Sequence, residues 1–255
     1  MYYNFEKIQE RKNEVNKHLD FILIEHSDDI QKCIDESKIY KEGFKLDKEA
    51  PFEGVNVLIT QETSTDCIFN TALPLKPKKI CVLNFASYRH PGGMFTKGIK
   101  SQEEDLCLSS ILYPVLKHFT NNYYKINEHE LHVGLYKDTA IYTPDVLFFY
   151  NKKKTASVDV LTCAAPNRRY ATDRGIFDDV INTAMENRIK YIFDIAEDNE
   201  VDTFILGAWG CGVFRNDPET VARLFKDEIY KRSIPNIIFP IPDFTTFETF
   251  MGVLI

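Results

Sequence analysis

The sequence predicts a three-layer α/β/α sandwich, and three observations carry that prediction. Short β-branched apolar runs recur along the chain, helical patterns separate them, and two glycine loops follow directly on two of the runs. Strands are expected at 55–60, 80–85, 158–164, 204–208 and 237–241, and helices at 63–73, 102–119, 177–197 and 218–231. In such a sandwich ligands sit beyond the carboxyl ends of the strands, which makes the two glycine loops the candidate site.

The N-terminal segment comes first. Leu19, Ile22, Leu23, Ile30, Cys33 and Ile34 are spaced as on amphipathic helices within a charged stretch, so residues 1–50 are expected to form a helical cap. Residues 51–255 then form one compact unit. With 255 residues, 44% hydrophobic and 13% aromatic, the chain suffices for a large core in a single domain. The stretch 73–79 is a proline-rich connector, and neither a repeat nor a low-complexity segment interrupts the pattern.

Charge and cysteine usage narrow the function. A net charge of −7 argues against sequence-specific nucleic-acid binding, which leaves a basic footprint, and the short run Lys152–Lys154 reads as an exposed turn. The 6 cysteines show no C-x-x-C spacing and several fall in apolar patterns, so a reduced, cytoplasmic protein is expected. A basic-then-apolar leader and a long uncharged apolar run are both missing, so no membrane partner is expected. His129 and His132 lie close together without further ligands, and neither a metal nor a cofactor is expected.

The first glycine loop lies in the segment 84–108. The apolar run 79–86 reads as a buried strand, Pro91-Gly92-Gly93 breaks it, and helical spacing resumes at Gln102 with Leu106, Ser109, Leu112, Tyr113 and Leu116 on one stripe. Glu103 and Glu104 therefore stand in the first turn, beside glycines whose N–H groups can approach an anion. Ser101-x-x-Glu104 also satisfies the capping-box pattern, which would spend Glu104 on helix stability, and Glu103 equally fits an acidic complement to the helix dipole. Neighbours on a helix are rotated by about 100°, so the pair does not suit the opposed acid and nucleophile of a two-carboxylate glycosidase. One carboxyl does chemistry and the other orients substrate.

The second loop repeats the logic at 202–225. Phe204-Ile205-Leu206 reads as a buried strand, 207–214 as a loop, and Asp217-Pro218 as a helix start. Trp209, the only tryptophan, lies between two glycines of that loop. By itself Gly210-Cys211-Gly212 equally fits a tight strand-to-helix crossing, Phe214 plain core, and Ala165-Pro166-Asn167 a turn.

Taken in order, the segments 83–87, Pro91-Gly92-Gly93, Gln102-Glu103-Glu104, 162–167 and 206–218 resemble the bacterial-type poly(ADP-ribose) glycohydrolases, which are macrodomain proteins. The resemblance extends from about 63 to 239 and includes 142–151. The family's loop carries three consecutive glycines where this chain has Gly92, Gly93 and Met94.

The resemblance implies a macrodomain with a mixed central sheet and an N-terminal helical extension, acting on poly(ADP-ribose) or another ADP-ribosylated substrate and releasing ADP-ribose. It implies that Glu104 is the general acid/base and that Glu103 binds hydroxyls of the ribose at the scissile bond. Gly92, Gly93 and the backbone of Gly210, Cys211, Gly212, Val213 and Phe214 would hold the diphosphate, with Phe214 over the ribose-diphosphate. Asn84, Met94, Gln102 and Trp209 would line the pocket, shaped further by Ala165-Pro166-Asn167. Phe244 or Phe247 would stack on adenine.

Two other readings share this pocket. A non-catalytic ADP-ribose reader gives no reason for the paired glutamates, whereas a hydrolase of mono-ADP-ribosylated protein or nucleic acid, or of a small ADP-ribose ester, would use the same acid and cradle.

Overall fold

In the computed structural model, which describes residues 5–46, 54–76, 78–150 and 154–255, strands β1 (Lys38–Tyr40), β2 (Asn56–Thr60), β3 (Ile80–Phe85), β4 (Ala140–Tyr150), β5 (Lys154–Cys163), β6 (Thr203–Ile205) and β7 (Asn236–Pro240) form one sheet. Its order is β1-β4-β5-β3-β6-β7-β2. The pairs β5-β3, β3-β6, β6-β7 and β7-β2 are parallel, while β1-β4 and β4-β5 are antiparallel, which gives the mixed sheet.

Helices α1 (Phe5–Glu25), α2 (Ser27–Glu36), α3 (Ser64–Cys67), α4 (Gln102–Leu108), α5 (Leu112–His118), α6 (Lys125–His129), α7 (Arg168–Thr172), α8 (Asp178–Asp198), α9 (Pro218–Ile229) and α10 (Phe244–Leu254) supply the outer layers. The period of two along the strands separates the cores. Cys81 and Leu83 of β3, Leu161 and Cys163 of β5, and Ile237 and Phe239 of β7 pack with α8, α9 and α10. Their alternates Ile80, Val82, Val158, Val160 and Ile238 pack with α1, α2, α4 and α5. Each such Val, Leu, Ile or Phe side chain contributes roughly 1.5–3 kcal/mol by leaving water.

Several elements differ from the sequence reading. The run at 140–150 is a strand although Pro144 interrupts it, because a bulge between Thr143 and Val146, with Asp145 at φ 54°, takes the proline out of the ladder. The helix expected over 102–119 breaks into α4 and α5. At the break Ser110 pairs with Phe148 as a β-bridge and its hydroxyl bonds the Leu106 carbonyl at 2.7 Å. The N-terminal segment is not wholly helical, since β1 closes the sheet edge beside β4. Leu23 is 53% exposed rather than core-facing, and Val15 takes the inner stripe.

The C-terminal helix α10, absent from the sequence reading, starts at Asp243, which accepts the Thr246 N–H at 2.9 Å. Lys152, Lys153 and the expected boundary at 50/51 lie outside the described residues. All six cysteines are free. Among the described residues no helix is long and apolar enough to cross a membrane.

Candidate active site

The first loop leaves the carboxyl end of β3, the central strand, and runs into α4. Gln102 staples the helix start to the strand end, since its Oε1 accepts the Phe85 N–H at 2.8 Å and its Nε2 donates to the Leu83 carbonyl at 2.8 Å. Its side chain is therefore structural. Glu103, 2% exposed, accepts the Ser87 N–H at 2.7 Å and the Asn84 amide at 3.3 Å. Glu104, 6% exposed, accepts the Met94 N–H at 2.8 Å on one oxygen and the Ser101 hydroxyl on the other.

These bonds decide the capping question. Ser101 is the N-cap residue but its side chain makes no capping bond to the helix backbone, and Glu104 turns to the glycine loop instead. Both carboxyl groups meet at Gly93. A Cβ there would lie 2.6 Å from Glu104 Oε1 and 2.9 Å from Glu103 Oε2, at a φ of +59°, so glycine alone lets the loop close over the pair. Neighbouring helical positions diverge at Cβ, yet these side chains are long enough to fold back onto one point.

Burial pushes the Glu103 carboxyl up to about 8, partly offset by the Ser87 N–H, reinforced by the charge of Glu104, and offset again by the Asn84 amide and the Gly92 N–H. Burial thus favours the protonated form of Glu103.

The loop's own donors are spent internally, which corrects the expectation for Gly92 and Gly93. The Gly93 N–H bonds the His90 carbonyl at 2.9 Å, the Phe95 N–H bonds the Gly92 carbonyl at 3.0 Å, and the Met94 and Gly92 N–H groups face the glutamates. Asn84 is fully buried; its Nδ2 donates to Glu103 and Thr162, each at 3.3 Å, and its Oδ1 has no hydrogen-bond partner among the described residues. Met94 stands in place of a third glycine at φ −108°, where a side chain costs no backbone strain, and is 47% exposed.

The second loop follows β6 and is anchored from beneath. Gly207 lies against the Phe85 ring and the Pro240 carbonyl, each 3.0 Å from where a Cβ would be. Trp209 is fully buried, so its indole is part of the core and not of a ligand pocket, contrary to expectation. At Gly210 a Cβ would meet Asn216 Nδ2 at 2.6 Å and Ala165 Cβ at 2.8 Å. Asn216, which sequence reasoning missed, donates to the Pro166 carbonyl at 2.8 Å and to the Gly210 carbonyl at 3.1 Å. The expected turn at 165–167 is thereby tied to this loop, and Asn167 also caps α7 by accepting the Tyr170 N–H at 3.0 Å.

The tip of this loop is different. A Cβ on Gly212 would meet nothing within 4 Å, Val213 is 74% exposed, and Phe214 is half-buried. The N–H groups of Gly212, Val213 and Phe214 enter no hydrogen bond among the described residues. These three consecutive unbonded donors are available to an anion. Cys211 is half-buried and burial pushes its thiol up to about 12, so it acts as packing rather than as a nucleophile.

Past the carboxyl end of β7, Phe244 opens α10 and is 60% exposed, whereas Phe247 packs against the core. Sequence reasoning also missed Ser87, whose N–H reaches Glu103, and named Ser101 only as a capping-box partner of Glu104, whereas its hydroxyl donates to the Glu104 carboxyl. No group of three or more His, Cys, Asp or Glu suited to a metal ion occurs among the described residues.

Comparison with known proteins gives a family and a set of similar folds. The family described as microbial-type PARG, catalytic domain, matches residues 6–151. A crystal structure of poly(ADP-ribose) glycohydrolase from Thermomonospora curvata is similar at 25% identity and a TM-score of 0.83, covering 96% of this chain and 99% of that one. The same enzyme bound to the inhibitor ADP-HPD is similar at 26% identity and a TM-score of 0.83, with the same coverage of 96% and 99%. Poly(ADP-ribose) glycohydrolase from Deinococcus radiodurans in complex with ADP-ribose is similar at 28% identity and a TM-score of 0.78, covering 88% of this chain and 96% of that one. A search of curated proteins finds no match.

Proposed function

We propose a residue-level mechanism on the premise that this chain belongs to the family of microbial-type poly(ADP-ribose) glycohydrolase catalytic domains. The protein is a glycosidase that hydrolyses the ribose–ribose O-glycosidic bonds of poly(ADP-ribose) and releases ADP-ribose. Glu104 is the general acid/base. It gives its proton to the departing 2′-oxygen as the glycosidic C–O bond breaks and an oxocarbenium-like centre forms. It then takes a proton from the water that bonds to that carbon, which returns it to its starting state.

Glu103, whose protonated form is favoured by its burial, holds ribose hydroxyls beside Glu104. The observation that carries this reading is the convergence of both carboxyl groups on Gly93. The N–H groups of Gly212, Val213 and Phe214 hold the diphosphate, the Phe214 ring covers the ribose, and Phe244 offers its exposed face to adenine. The described residues 5–46 of the N-terminal segment form a cap on the catalytic unit, a reading supported by the packing of the Ile8 carbonyl and the Arg11 and Lys12 side chains against Gly98. The mechanism needs neither metal nor cofactor, and the reduced cysteines favour a cytoplasmic setting.

Incubation with poly(ADP-ribose) and with a mono-ADP-ribosylated acceptor, followed by separation of the products, tests the assignment. ADP-ribose should appear from polymer, with or without EDTA. Release from the mono-modified acceptor alone would move the activity to that substrate. Binding without turnover would make the protein a reader, and loss of activity in EDTA with recovery in magnesium would recast the glutamates as metal ligands.

A further inference from the structure

Beside the second loop three aromatic rings are assembled from distant parts of the chain. Tyr88 stacks on Tyr136 with ring centroids 4.1 Å apart at 11°, and Tyr136 meets Phe214 edge-on at 6.3 Å. The loop that presents Tyr136 is strained, with His132, Val133 and Tyr136 all at positive φ (40°, 51° and 62°). Arg188, 2% exposed, holds it in place by donating to the Leu135 and Tyr136 carbonyls at 3.2 Å and pairing with Asp138. A strained segment clamped by a buried guanidinium is a rigid platform.

Three arginines surround this platform. Arg89 follows Tyr88 and lies within electrostatic reach of the Tyr136 phenol, Arg215 follows Phe214, and the Arg169 N–H bonds the Phe214 carbonyl at 3.0 Å. All three are exposed, and none of their guanidinium groups enters a hydrogen bond or ion pair among the described residues. The neighbouring carboxylates are mostly engaged: Glu130 pairs with Lys137, Asp138 with Arg188, Asp178 with Arg168, and Asp217 caps α9. Asp173 lies one turn beyond Arg169, its N–H on the Arg169 carbonyl at 3.1 Å. On a chain of net charge −7 this is a local positive surface bordering the tip of the second loop.

We propose that Arg89, Arg169 and Arg215 form a rim that binds the pyrophosphate of an ADP-ribose unit lying outside the catalytic pocket, so that the enzyme grips polymer more tightly than the single unit it releases. Guanidinium groups pair with phosphate oxygens in bidentate fashion, and three of them carried beside one aromatic platform offer a second pyrophosphate a place outside the pocket. The inference rests on poly(ADP-ribose) being the substrate.

The test places R89Q, R169Q and R215Q together in an E104Q background and measures binding of labelled poly(ADP-ribose) and of ADP-ribose between about 50 and 200 mM salt. Polymer affinity should fall and its log–log salt slope should become shallower by about 1.4, as for loss of the two phosphates of one pyrophosphate on a single strand, while ADP-ribose affinity stays unchanged. Unchanged polymer affinity in the folded variant would overturn the rim, as would an equal loss for ADP-ribose, which would place the arginines in the pocket. Single-stranded DNA bound as tightly as polymer by the parent would also overturn it. Because binding is read without turnover, failure of the wild-type enzyme to cleave polymer would sink the glycohydrolase assignment and leave this result standing. A charge-reversed R89E/R169E/R215E variant should deepen the loss.

Discussion

The two glycine loops look alike in sequence and are used in opposite ways. The first turns its N–H groups inward, onto His90, Gly92 and the carboxyl groups of Glu103 and Glu104. The second fixes its base with Gly207, Gly210, Trp209 and Asn216 and leaves the N–H groups of 212–214 unbonded at its tip. A glycine-rich loop after a buried strand thus signals close backbone approach, but not to what. In the first loop the groups approached are the protein's own carbonyls and carboxyl groups, and in the second the place is open for a ligand. Changes in the first loop should therefore act on turnover and changes at the tip of the second on affinity.

The largest expected effect tests the first half of that contrast. E104Q keeps the shape of the side chain and can still accept the Met94 N–H, but delivers no proton, so turnover on polymer should fall by about 10²–10⁴ with ADP-ribose affinity nearly intact. A variant with full turnover would return Glu104 to a structural role. Next comes G93A. Its Cβ must displace both carboxyl groups, at 2.6 and 2.9 Å, and sits at an unfavourable φ of +59°, so kcat should fall about 10²-fold while ADP-ribose binding changes little. Equal loss of affinity would show that the first loop holds the ligand after all.

The second half of the contrast is sharpened by two glycines in one loop. G212V adds a side chain into open space, so thermal stability should hold while calorimetry shows ADP-ribose affinity falling at least about tenfold, through obstruction of these donors. G210A, by contrast, drives a Cβ to 2.6 Å from Asn216 and 2.8 Å from Ala165 and should lower the melting temperature first. If the two variants behaved alike, base and tip of the loop would not be separable functions.

Sequence alone located the carboxylates, both loops and the five parallel strands, because those signals are local: apolar β-branched runs, glycines, and a helix start. It missed β4, where Pro144 breaks a run that a bulge restores, and α10, whose Asp243 cap opens a segment dense in aromatics. It placed Trp209 in the pocket on the company of its glycine neighbours, whereas the indole is core. It also had no means of telling which N–H groups stay unbonded. Donors at 93–95 and at 212–214 differ only in what the fold brings opposite them, and the same holds for Tyr136, set in an irregular loop and defined by its stack on Tyr88.

The smallest effect concerns the cost of enclosing the first loop's carboxylates. Glu103 is raised in the folded chain from 4.5 to about 8, chiefly by burial. Below the lower value the folded and unfolded chains both carry the proton and the group has no net influence on stability. Between the two values the unfolded chain releases the proton while the folded chain retains it, so stability must fall as pH rises through that window and level off above it. E103Q removes the titration while still accepting the Ser87 N–H. The melting temperature of the variant should therefore match the wild type near pH 4.5 and exceed it increasingly toward pH 8, by about 2–4 °C for each kcal/mol relieved. Thermal scans at intervals across this range read the difference directly. Parallel curves for the two proteins would mean that Glu103 is ionised in the folded state, and the division between a neutral Glu103 and a proton-transferring Glu104 would have to be redrawn.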